Sequence, residues 1–149
     1  MEHGFPMRRL LLLQFFLLLC FYPAPASAVD QQLVLVTNAQ SPITALTPVA
    51  ARRLYLGVPF QANGLAIIPL RNTSDARLQE VFMQRVMYMA TETYERQVLN
   101  RVFRTGGQRP PIYSELRELV EALKGNPLAI SYMWHETALA TPGLKIVGE

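Results

Sequence analysis

The stretch Arg71-Asn72-Thr73-Ser74-Asp75 stands between an apolar run and the start of the longest helical pattern in the chain. A helix N-terminus presents unpaired backbone N–H groups and the positive end of the aligned peptide dipoles. An arginine and hydroxyls placed there can hold an oxoanion without any metal. Arg71 and Ser74 are therefore the leading anion-ligand candidates, with Thr73 as a further hydroxyl. The same residues also describe a plain helix start, with Ser74 as the cap and Asp75 in the first turn. Asp75 favours that second reading, because its carboxylate repels an anion and already satisfies the dipole.

Ser41 and Thr44 form a second candidate set, just after the first apolar strand pattern, at the kind of strand end where α/β proteins place ligands. Turn and cap chemistry accounts for them equally well. In Arg104-Thr105-Gly106-Gly107-Gln108-Arg109, two arginines flank a glycine pair. They suit an anion or a partner protein, and equally a solvated loop. Glu115, Glu118 and Glu121 share one helix face and read as a solvated face. His135 follows Trp134; a hydrolase would need it beside a hydroxyl such as Ser131, and the sequence offers no nucleophile elbow. No enzymatic activity and no cofactor are expected.

Alternating strand and helix patterns must position these residues. Gln32 to Thr37 is a β-branched and Leu run, read as a buried strand. Thr47-Pro48 opens a short helix that Gly57 stops. Leu65 to Leu70 is a second strand, with Pro69 marking an edge. From Ser74, apolar residues recur at spacings of three and four through Met89, one amphipathic stripe. Glu92 to Phe103 continues as a second helix, and Arg104 to Pro111 is a loop. Ser114 caps a helix ended by Lys124 and Gly125, with Gly125 as a left-handed stop. Leu128 to Met133 and Leu144 to Val147 complete the strands. The class expected is α/β, with one small mixed sheet flanked by helices.

The N-terminus carries an address. Arg8 and Arg9 precede Leu10 to Phe21, in which only Gln14 is polar. That run is shorter than the roughly 20 residues needed to span a bilayer. Ala26-Ser27-Ala28 follows as a small-x-small cleavage site, so residues 1–28 read as a secretory signal and 29–149 as the working domain. The sole cysteine, Cys20, and two basic residues leave with it. What remains is near neutral, has a single histidine, and can form neither a disulfide nor a multi-histidine metal site. Its arginines are scattered and not interleaved with aromatics, so nucleic acid is not an expected partner. No stable membrane anchor is expected after cleavage.

Leu46-Thr-Pro-Val-Ala-Ala-Arg-Arg-Leu-Tyr-Leu-Gly57, then Ile67 to Ser74, then Phe82, resembles the phosphate-type periplasmic solute-binding proteins of ABC transporters. Phe103 to Pro111, and the helix and strand over Leu119 to Tyr132, are similar to that family's later segments. The resemblance implies a periplasmic lobe of the Venus-flytrap type, phosphate or another oxoanion as ligand, and an ABC permease as partner. It carries the anion roles onto Arg71 and Ser74. It departs where Asp75 and Ala76 stand in place of the family's Gly and Thr, and where Ser131-Tyr132 replaces Gly-Tyr. Losing that glycine restricts close backbone approach. The length leaves room for one lobe. The alternative is an interaction or sensory module of the envelope that kept this fold and lost its anion site.

Overall fold

The computed structural model describes residues 31–148; the stretch read as a secretory signal, residues 1–28, lies outside the described residues. Strand β1 (Leu33–Asn38) and strand β7 (Ala129–Trp134) form the middle of a four-stranded sheet ordered β4-β7-β1-β8. β1 and β7 run antiparallel, with Leu33 opposite Trp134 and Thr37 opposite Ile130. β8 (Leu144–Ile146) adds antiparallel to β1, and β4 (Ile68–Pro69) adds parallel to β7, so the sheet is mixed. A strand covered on both faces needs a nearly continuous apolar run, and all six residues of β7 are buried. Its polar member, Ser131, donates its hydroxyl to the Leu70 carbonyl at 2.9 Å. Pro69 sits on the sheet's edge strand, as its missing N–H requires.

Helix α1 (Pro48–Tyr55) starts at Thr47, whose Oγ1 accepts from the Ala50 amide at 3.2 Å. It stops at Gly57, where φ is +83°. Helix α2 (Ala76–Phe82) passes directly into a π-helical turn, Met83–Met87, and the chain leaves it through Tyr88 at φ +53°. The expected uninterrupted helix through Met89 is corrected here. The wider winding keeps Phe82, Met83 and Met87 all buried, which a regular α-helix does less well. Helix α3 (Thr91–Thr105) ends at Gly106 in the left-handed conformation. Helix α4 (Leu116–Gly125) ends instead at an extended Asn126, so Gly125 is not a left-handed stop. A short α5 (His135–Leu139) follows β7.

The anticipated strand over Leu65 to Leu70 divides into two pieces, with a further short strand on either side. β2 (Gln61–Ala62) and β3 (Leu65–Ala66) make a hairpin around Asn63-Gly64, both at positive φ. β4 then joins the main sheet, and β5 (Arg71–Asn72) leaves it to pair in parallel with β6 (Ile112–Tyr113). The core centres on aromatic rings. Phe82 stacks on Tyr132 with centroids 3.7 Å apart, and Tyr55 meets both edge-on. The Tyr55 hydroxyl donates to the Leu70 carbonyl at 3.1 Å, which ties α1 to the sheet.

Candidate functional site

β5 and β6 lie side by side, and each runs straight into a helix: β5 through Thr73-Ser74-Asp75 into α2, β6 through Ser114-Glu115 into α4. β7 likewise runs into α5 at Trp134-His135. Three helix starts therefore open onto one cavity of about 400 Å³, lined by Ser74, Asp75, Ser114, Glu115, Trp134 and Thr137 among others. Helix starts direct N–H groups and positive dipole ends outward, so the scaffold is of an anion-holding kind.

A carboxylate of the protein occupies that scaffold. Asp75, not Ser74, is the cap of α2: its Oδ1 accepts from the Leu78 amide at 3.0 Å. Its Oδ2 accepts from the Trp134 indole N–H at 2.9 Å. These two bonds, the Leu78 amide first, hold its pKa below the ordinary carboxylate value. The expected Ser74 cap is corrected for a simple reason: a carboxylate offers two acceptor oxygens and can serve two donors at once. Ser74 turns inward along the chain instead. Its hydroxyl donates to Asn72 Oδ1 at 2.6 Å, and its amide donates to the same oxygen at 3.1 Å. Ser114 is likewise displaced as a cap, since Glu115 holds the cap position of α4, with no side-chain cap bond.

Arg71 is adjacent in sequence but turned elsewhere. It is 3% exposed, and its Nη1 donates to Glu95 Oε1 at 2.7 Å. Its guanidinium carbon lies 4.8 Å from the centre of the Tyr94 ring. The other Glu95 oxygen accepts from Arg109. One carboxylate thus serves both ion pairs found among the described residues. Thr73 is also committed, donating its hydroxyl to the Tyr113 carbonyl at 3.2 Å. Around Arg71 the phenols are hard to ionise. Burial pushes Tyr94 up to about 12, and raises Tyr132 and Tyr55 as well.

Ser41 and Thr44 do not join this group. Because β1 is antiparallel to β7, the end of β1 lies beside the beginning of β7, whereas Asn72 and Asp75 bond Tyr132 and Trp134 near its other end. Ser41 is buried and accepts from the Ile43 amide, a local turn, and Thr44 is exposed. Glu115, Glu118 and Glu121 are exposed, as a solvated face requires. Ser131 spends its hydroxyl on Leu70. Among the described residues no cluster of three His, Cys, Asp or Glu side chains could hold a metal ion. The residues missed from sequence are Glu95, Tyr94 and Trp134. Only Trp134 carried a signal, a buried indole N–H needing an acceptor.

No protein-family model and no curated protein matches the chain. Solved structures do. An ABC-type phosphate transport receptor from Vibrio cholerae superposes with a TM-score of 0.57 at 12% identity, over 78% of this chain and 45% of the receptor. PstS from Borrelia burgdorferi superposes at 0.58 and 14% identity, over 79% of this chain and 47% of its own. The likeness is one of fold. It bears out the α/β class and the binding-protein-like architecture, in a chain that spans less than half of each neighbour. Among the described residues, no helix is long and apolar enough to cross a membrane.

Proposed function

We propose that this chain is a periplasmic domain of the solute-binding-protein fold that works as an interaction or sensory module of the cell envelope. One observation carries the reading: the anion-holding positions are filled from within. Asp75 takes the α2 amide and the Trp134 indole, and Glu95 takes Arg71. A free oxoanion would have to displace a carboxylate already hydrogen-bonded at each place, or enter beside it against like charge. Export rests on the signal read at residues 1–28, with cleavage after Ala28, and the fold likeness to an ABC-type transport receptor supports it.

A second reading, weak oxoanion binding for ABC-type uptake at Ser74 and the helix starts around it, is favoured by the convergence of three helix starts on one cavity. Calorimetric titration of the signal-free protein with inorganic phosphate at low salt separates the two. The module reading expects no heat at millimolar phosphate, and an Asp75→Gly variant that gains heat. Saturable binding by the unaltered protein would sink it in favour of the second reading.

A further inference from the structure

We propose that the groove between the end of α1, β4 and the C-terminal half of α3 docks an acidic peptide segment of a partner protein, anchored by aliphatic side chains. The proposal deepens the interaction-module reading and rests on it. A groove of about 290 Å³ is walled by Val58, Pro59, Ile68, Val102 and Pro110, with Arg101 at its side. A second hollow of about 440 Å³ adjoins it, sharing Arg101 and Thr105 and adding Arg104. Neither is lined by any carboxylate.

Charge complementarity selects the occupant. Arg71 and Arg109 are both paired with Glu95, while Arg101 and Arg104 have no carboxylate partner among the described residues. Arg101 is also held in place: a Cβ at Gly57 would come within 3.0 Å of its Cδ, so its aliphatic stem lies against the stop of α1. A fixed stem with a free guanidinium beside an apolar trough fits alternating aliphatic and acidic side chains. Strand addition is not how such a segment would be held. At this edge the Ile67 amide already donates to the Phe60 carbonyl at 2.9 Å, and Pro69 has no N–H to offer. Side-chain recognition is what remains.

Selection of a phage-displayed library of random dodecapeptides on the signal-free protein, in buffer containing phosphate, tests this. Binders should be enriched in Asp and Glu interspersed with Leu, Val or Pro. Their affinity should fall about tenfold in an Arg101→Gln/Arg104→Glu double variant whose thermal midpoint matches the parent, and fall again in high salt. Peptides without acidic enrichment, binding indifferent to the double variant, or failure of any sequence to enrich would each overturn the proposal. So would binding of anionic vesicles abolished by the same double variant, since that would make the arginines a lipid contact. The outcome is independent of the phosphate titration. Heat with phosphate undermines the module reading while leaving peptide selection to be judged separately, and the converse failure leaves the titration intact.

Discussion

Replacing Glu95 by alanine leaves Arg71 buried with its charge uncompensated. The Arg71 side chain is 4% exposed and that of Glu95 is 31% exposed. Breaking a fully buried pair from one side costs about 3–5 kcal/mol. Here water reaches the carboxylate, and the Tyr94 ring 4.8 Å away goes on stabilising the guanidinium by about 1 kcal/mol. The expected loss is therefore about 2–3 kcal/mol, close to that of a charged hydrogen bond. In a domain of this size it lowers the thermal midpoint by about 10 °C. Urea titration followed by circular dichroism measures the free energy directly. Glu95→Gln, which keeps an oxygen acceptor but no charge, should lose less, and Arg109→Ala, half-exposed, about 0–1 kcal/mol. The vacated position is then an anion site. Inorganic phosphate at a hundredfold excess over its dissociation constant should restore about 2.7 kcal/mol to Glu95→Ala, while leaving the parent midpoint unmoved. Two results would refute this reasoning. One is an alanine variant within about 0.5 kcal/mol of the parent; the other is phosphate raising both midpoints equally.

Asp75→Ala removes a helix cap and the acceptor of the Trp134 indole, and urea titration should show a loss of about 1–2 kcal/mol. Because the folded-state pKa of Asp75 lies below the ordinary carboxylate value, its contribution is complete above that ordinary value and is lost as pH falls through the lowered, folded-state one. Asp75→Asn should therefore flatten the stability curve below about pH 4, as read by acid titration of the circular dichroism signal. The Tyr132 hydroxyl is buried without a hydrogen-bond partner among the described residues. Tyr132→Phe should therefore change stability by less than about 1 kcal/mol, toward gain if at all. Loss of more than that on chemical denaturation would reveal a bond to the nearby arginine.

Strong local signals in the sequence survived into the structure. The apolar runs that became β1 and β7, the Thr47-Pro48 start of α1 and the edge role of Pro69 were all legible, because local chemistry decides each of them. What sequence concealed depends on partners distant in the chain. Asp75 reads as a first-turn residue until Trp134, far along the chain, supplies its second donor. Arg71 reads as an open ligand until Glu95 arrives on α3. Ser41 and Thr44 read as ligands because they follow a strand end, and the antiparallel pairing of β1 with β7 places that end away from Asn72 and Asp75. The Asn63-Gly64 hairpin is different. Its signal is local, but it stands beside the apolar run Leu65 to Leu70, which by itself reads as one strand.

The place of β7 in the sheet has a consequence for how the molecule forms. This strand lies between β4 and β1, yet it is the seventh of eight in chain order. Until it is present, β1 and β4 have nothing to join them, and the ring of Phe82 has no Tyr132 to stack upon. Closing a loop from β1 to β7 is a long-range step that slows folding and delays it until nearly the whole chain is available. A polypeptide built in this order closes its sheet only after the segment that becomes β7 has been added.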